Sequence, residues 1–240
     1  MGPLPSMESR GLQLELSSPF WTLRQCLGFG DWVFYILTCC SGSKTGKLLP
    51  TGNLTDVIDG VTTTCIDAGN PCVFIEAESL EVDGTILPDA IDAHPTVHSK
   101  LESIRCKASV AMGISMDEAS TPSSIPKIAM VSKCKSHLLL SGESIDGHTV
   151  DIILRALSVG QPHRAVPITV AMAAAAAANL EGSVVQRNVR NERVDVDGIT
   201  IGHSSGKLMM GANFDDGGYL IDATVFRTAR RLMDGIVYFK

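Results

Sequence analysis

One segment restricts what this chain can fold into more than any other: Val170-Ala171-Met172 followed by six consecutive alanines, Ala173 to Ala178. Alanine has the highest helix propensity and no side chain beyond Cβ. The segment is therefore predicted to be a helix over residues 166–180 that lies close against a sheet, with Gly182 ending it. It is entered through Ser158-Val159-Gly160-Gln161-Pro162-His163-Arg164-Ala165-Val166-Pro167-Ile168-Thr169, a Gly/Pro/His/Arg elbow. Such an entry supplies free backbone N–H groups, the positive end of the helix dipole and the nearby Arg164 guanidinium. Together these suit a carboxylate or a phosphate. The alternative is a plain turn ahead of a buried helix.

The chain has 240 residues, 45% of them hydrophobic and only 5% aromatic, so its core must rest on Ala, Val, Ile, Leu and Met. A net charge of −6 with no Lys/Arg stripe argues against nucleic acid as a partner. The basic cluster at residues 227–231 is too short to change that. Seven cysteines, an odd number without zinc-ribbon or disulfide-framework spacing, point to a reducing compartment, the cytoplasm. His94 and His98 stand four apart, but Pro95 lies between them and no third ligand follows, so no metal is expected. The apolar run at 32–40 is too short for a membrane span, and the first 25 residues lack the features of a signal peptide.

Residues 1–41 read as a poorly specified leader with an apolar strand or helix around 31–38. Residues 42–240 are more regular. A Gly/Ser/Thr/Lys loop at 42–53 leads to strands at 54–58 and 61–67, and Ala68-Gly69-Asn70-Pro71 separates these from an apolar strand at 72–75. A helical turn is predicted at 88–93. A helix follows at 96–112, where Val97, Leu101, Ile104, Ala108 and Ala111 recur at helical spacing and Gly113 is the stop. Strands are predicted at 127–132 and 136–140, with a sheet-edge strand at 148–157. Past the Ala-rich helix come strands at 193–196, 199–201, 207–211 and 219–224, a helix or turn at 228–233 and a strand at 236–239. The fold class is α+β: a curved, mostly antiparallel or mixed sheet around one Ala-rich helix.

Gly42-Ser43-Lys44-Thr45-Gly46-Lys47-Leu48 has three residues between its glycines, and Leu48 stands where a phosphate loop needs a hydroxyl for magnesium, which argues against nucleotide hydrolysis. A loop in which Ser43, Lys44 and Thr45 bind a carboxylate stays open. Gly69 lets the backbone approach a ligand, and the Asn70 amide can bind a carboxylate or cap its own turn. Cys72 acts as an acid/base thiol only if its pKa is lowered, and the following Val73-Phe74-Ile75 favours a buried residue instead. Gly202-His203-Ser204-Ser205-Gly206 is either an anion nest or a hairpin turn. With Gly160, Gln161, His163 and Arg164 of the elbow, these turns suggest a small metabolite with several carboxylates. No cofactor fingerprint or catalytic triad accompanies them.

The runs GSKTGKLLPTGNLTD (42–56), IDAGNPCVFI (66–75), RCKASVAMG (105–113), PKIAMVS (126–132), RALSVGQPHRAVPIT (155–169), IGHSSGKL (201–208) and FRTARRLMDGIVY (226–238) occur in that order. They resemble the PrpF family, the 2-methylaconitate cis–trans isomerases with their aconitate isomerase and 4-oxalomesaconate tautomerase relatives. The resemblance implies a diaminopimelate-epimerase-like fold of two lobes, each a sheet curled around a central helix, with the active site between them. It implies a cofactor-independent 1,3-proton shift that migrates a double bond in an aconitate-like polycarboxylate. Gly69-Asn70-Pro71 resembles a substrate-contacting turn of the epimerases. The elbow, Gln161 to Ala165, corresponds to the place where the second-lobe helix points its N-terminus into the cleft. Ser204 and Val170 stand where the family usually has proline and glycine.

In the family the first lobe supplies the catalytic lysine and a cysteine, and nothing in residues 1–41 resembles it. Residues 42–240 are therefore read as the second lobe alone, with the catalytic residues unassigned. The chain is expected to be a polycarboxylate isomerase; the alternative is a non-catalytic lobe that at most binds a carboxylate. A lobe on its own exposes its cleft face, which favours a homo-oligomer.

Overall fold

The computed structural model describes three strands at residues 14–18, 21–27 and 32–38 and all of residues 41–228. In chain order the strands of the main sheet begin with β1 (Leu14–Ser18), β2 (Trp21–Leu27), β3 (Trp32–Thr38), β4 (Asp56–Ile58), β5 (Val61–Asp67), β6 (Pro71–Glu76) and β7 (Lys127–Lys133). Two helices, α1 (Pro88–Asp92) and α2 (Val97–Ala111), lie between β6 and β7. A small separate ladder pairs β8 (His137–Leu138) with β9 (Ser144–Ile145). The main sheet continues with β10 (Ile152–Ser158) and β11 (Gln161–Pro162), which precede α3 (Ile168–Ala178). It finishes with β12 (Ile199–His203), β13 (Gly206–Phe214) and β14 (Leu220–Thr228).

The sheet order is β1-β2-β3-β14-β13-β12-β10-β7-β6-β5-β4, with β11 paired to β10 alone. Neighbours are antiparallel except β6–β7 and β10–β12, so the sheet is mixed. β3 pairs with β14 along its whole length, and the sheet therefore runs across the expected boundary at residue 42.

Two cores flank the sheet. On the inner face Ile66, Cys72, Phe74, Ala129, Val131, Ile152, Leu154, Ile201 and Met210 pack around α3. On the outer face Cys65, Val73, Ile75, Ile128 and Met130 meet Leu101, Ile104 and Ala108 of α2. Successive residues of β6 and β7 thus serve opposite cores, which is why these strands read as unbroken apolar runs. Every residue of α3 from Val170 to Ala178 is buried, and α3 touches β5, β6, β12, β13 and β14. Alanine makes this enclosure feasible because the strands can close in to the helix backbone.

Most of the expected elements form within two or three residues of their predicted ends. Three differ. The strand expected at the sheet edge over 148–157 is central, with β7 on one side and β12 on the other, and all of β10 is buried. Its Arg155 guanidinium is buried and donates to the carbonyls of Ile86, Leu154 and Thr85 at 2.8, 3.0 and 3.1 Å. No strand forms over 193–196. The buried Asp151 carboxylate takes the Val194 N–H at 2.7 Å and the Thr200 N–H at 2.6 Å, which bends this segment into a loop. The strand expected over 136–140 shrinks to β8. The expectations for 229–233 and 236–239 lie outside the described residues, and Thr228 ends β14.

The enclosure of α3 leaves no room for a larger side chain. Ala174→Leu is expected to lower the unfolding free energy by about 1–3 kcal/mol in urea titration, and an unchanged midpoint would mean that the sheet is not closed tightly on the helix.

Candidate functional site

Strand direction decides which side chains meet. β6 and β7 run parallel with Cys72 beside Lys127, and β10 runs against β7 with Leu157 opposite Ile128. The starts of β6 and β7 and the end of β10 therefore gather at one end of the sheet. The first turn of α3 emerges there too, since Lys127 Nζ lies 3.2 Å from Thr169 Oγ1.

The start of α3 is uncapped. Pro167 occupies the N-cap with no side-chain hydrogen bond. The N–H groups of Val170 and Ala171 both donate to the Pro167 carbonyl, at 3.0 Å each. The N–H groups of Ile168 and Thr169 find no acceptor among the described residues. Two aligned donors, the positive end of the helix and an ammonium group thus share one place. The sequence reading assigned the cation here to Arg164, but its guanidinium instead sits 3.8 Å from Asp89 of α1, both side chains largely exposed. Lys127 takes that position and was missed, because one lysine at the head of an apolar strand carries no motif.

The elbow is a hairpin followed by the helix entry. Val159 and Gly160 form its two-residue turn, with φ of 52° and 67°. Such a turn matches the sheet twist but places a β-branched valine in the left-handed region. Contacts outside the hairpin hold it: Val159 N–H donates to Ser123 O at 3.1 Å, and His98 Nε2 pairs with Gly160 O at 2.8 Å. Within it, Ser158 Oγ and His163 Nε2 are 2.6 Å apart. Burial first, and then the charge of Lys127, push the His163 imidazole below its ordinary pKa, so the ring is neutral at neutral pH. Gln161 is exposed beside the turn.

The loop bearing Ser43, Lys44 and Thr45 does bind a carboxylate, but that of Asp67. Ser43 Oγ donates at 2.7 Å, the Lys44 and Thr45 N–H groups at 2.8 Å each and Thr45 Oγ1 at 2.9 Å. The loop is thereby fastened to the residue just ahead of the Gly69-Asn70 turn. Gly69 adopts φ +77°, and a Cβ there would come within 2.7 Å of Met172 Cε in α3. Asn70 is half-buried, and its amide has no hydrogen-bond partner among the described residues. Cys72 is fully buried, and burial pushes its thiol up to about 12 despite the nearby Lys127. That suits a core residue rather than a proton carrier.

The turn at 203–206 reaches the same region, since Ser205 Oγ donates to Arg164 O at 2.7 Å. Ser205 N–H donates to His203 Nδ1 at 3.2 Å. Ser204 Oγ is buried and has no partner among the described residues. His94 and His98 do not converge: His94 Nδ1 accepts from Val97 N–H at the start of α2, at 3.2 Å, whereas His98 serves the hairpin.

The model of a known family, described as the PrpF protein, matches residues 33–240. The chain belongs to the PrpF family. It is 34% identical over 206 residues to 3-methylitaconate isomerase of Eubacterium barkeri, covering 82% of this chain and 54% of that protein. It is 38% identical over 202 residues to 2-methyl-aconitate isomerase of Shewanella oneidensis, covering 80% and 50%. The chain thus spans about half the length of these curated relatives. Its fold matches a crystal structure of methylitaconate-delta-isomerase with a TM-score of 0.84 at 26% identity, over 98% of this chain and 67% of the other. The α+β architecture, a mixed sheet packed around a central Ala-rich helix, agrees with the fold expected from the PrpF resemblance. No helix among the described residues is long and apolar enough to cross a membrane.

Asp67 organises this end of the sheet without touching solvent. Asp67→Asn keeps the size but turns an NH2 group toward donors. It is expected to destabilise the protein by about 2–4 kcal/mol in urea titration and to speed amide exchange at Lys44 and Thr45. Protection of those amides at the wild-type level would show that the loop is held by other contacts.

Proposed function

We propose that this PrpF-family chain is the carboxylate-holding lobe of an isomerase that shifts a double bond in a small, aconitate-like polycarboxylate. The observation that carries this reading is the uncapped start of α3, with the N–H groups of Ile168 and Thr169 beside Lys127. Asn70 and the turn at 203–205 would contact the remaining carboxylates together with Gly69, Gly160, Gln161 and His163, while the turn at 43–45, taken up by Asp67, holds Asn70 in place.

The chemistry is a 1,3-proton shift without a cofactor. A base removes a proton from a carbon that is both allylic and next to a carboxylate. The electron pair spreads over the double bond and that carboxylate, and a proton returns at the far carbon. The transition state gathers negative charge on the carboxylate oxygens. The helix start and the Lys127 ammonium then stabilise it more than they stabilise the substrate. The cleft is completed by a second lobe or a second copy of this chain, and the protein works in the cytoplasm.

A second reading is a lobe that binds a carboxylate without catalysis, in keeping with the fully buried Cys72, whose thiol burial pushes up to about 12. One pair of measurements separates the two. Calorimetric titration with trans-aconitate is expected to show binding that Lys127→Ala weakens by about tenfold or more, equivalent to ~1.4 kcal/mol. Proton NMR in deuterated water then follows double-bond migration. Binding with turnover supports the isomerase, binding without turnover supports the second reading, and equal affinity in the Lys127→Ala variant would contradict both.

A further inference from the structure

The other end of β6 and β7 carries a polar cleft that the carboxylate site does not use. The two strands run parallel with Glu76 beside Val131, so their last residues lie together. The chain leaves β6 through a 3-10 turn, Ala77–Leu80, and a second such turn, Gln186–Asn188, comes up beside Glu76. Between these segments and the end of β7 lies a cleft of about 530 Å³. Crevices outside the carboxyl ends of parallel strands are recurrent ligand positions, and this volume falls in the range of small-molecule sites.

Charges of both signs line the cleft. Asp83 and Lys135 satisfy each other at 2.6 Å. Asn188 Nδ2 donates to Glu76 Oε1 at 3.2 Å and so fixes that carboxylate. The Arg187 guanidinium stands 3.8 Å from the same oxygen, too far for a hydrogen bond. The exposed side chains of Glu78 and Lys133 have no partner among the described residues. Ser132 Oγ, in the cleft wall, is buried without a hydrogen-bond partner, packed so closely under Gly84 that a Cβ there would overlap it. A buried hydroxyl without a partner is costly, and it marks this wall as a place where an acceptor is missing.

We propose that this cleft binds a free α-amino acid, with the carboxylate toward Lys133 and Arg187 and the ammonium toward Glu76 and Glu78. A simple anion there is repelled by Glu76 and Glu78, and a simple cation by Lys133 and Arg187. A zwitterion meets partners of both signs. Glu76 and Arg187 stand side by side, so the opposite charges of the ligand must also be adjacent, as they are around the α-carbon of an amino acid. The volume leaves room for a side chain beyond that carbon. The site is independent of the start of α3, because Cys72 and Lys127 begin β6 and β7 where Glu76 and Lys133 end them.

The test is an NMR titration of the full chain, isotope-labelled, with a mixture of the twenty protein amino acids at about 1 mM each and then with each compound alone. At least one amino acid is expected to shift the amides of Glu78, Gly84, Lys133 and Arg187 and to leave those of Ile168 and Thr169 in place. The same compound without its amino group should bind about tenfold more weakly or worse. Lys133→Gln and Glu78→Gln, both at exposed positions, should each weaken the amino acid by about threefold or more. No shift with any amino acid, shifts at the start of α3 instead, equal binding of the compound without its amino group, or wild-type affinity in both variants would each overturn the proposal. None of these results bears on trans-aconitate at the start of α3, so this cleft and the carboxylate site stand or fall separately.

Discussion

A helix can be buried along its length under one sheet and the loops beside it only if its side chains leave room for them, and this constraint organises the fold. From Val170 to Ala178, α3 is buried throughout, and seven of those nine positions are alanine. Wrapped in this way, the helix meets the outside only at its ends. Its first N–H groups cannot be satisfied inside the helix, and the proline at the N-cap offers no side-chain acceptor. They are left for water or a ligand, at the end of the sheet where Lys127, Asn70 and the Ser158–His163 pair also lie. The site follows from how the core is closed.

The elements at this end differ in what they contribute. The Asp67 carboxylate and the loop at 43–45 satisfy each other, and their role is to hold the Gly69-Asn70 turn in place. Arg164 and Asp89 form an exposed, long ion pair that contributes little energy. The half-buried Lys127 carries more weight. It is anchored by the Thr169 hydroxyl, and it acts both on the helix start and on the His163 ring. The positive potential of the site therefore comes from a strand and a helix start held by the core, rather than from flexible surface arginines.

Much of this was legible in the sequence. The alanine run marked the central helix, and helical spacing from Val97 to Ala111 marked α2. The short apolar runs of β6 and β7 marked strands, because single residues there serve alternating cores. Missed features shared one physical cause, namely that they depend on partners distant in sequence. Arg155 fits in a central strand because three distant or neighbouring backbone carbonyls take up its donors. A strand was expected at 193–196, but the Asp151 carboxylate, more than forty residues away, captured its backbone. The donors of Ser43 and Thr45 looked available for a ligand because Asp67, the chain's own acceptor, lies more than twenty residues away. Lys127 became visible only once the parallel register placed it beside Cys72 and under Thr169.

The central claim is that the start of α3 and Lys127 together hold a substrate carboxylate. A crystal structure of the chain soaked with trans-aconitate tests it most directly. A carboxylate oxygen is expected within about 3.2 Å of the Ile168 or Thr169 nitrogen and of Lys127 Nζ. The cleft of about 530 Å³ lies at the opposite end of β6 and β7 and is lined by Glu76, Ser132, Lys133 and Arg187. Ligand found in that cleft, with the start of α3 unoccupied, would contradict the claim.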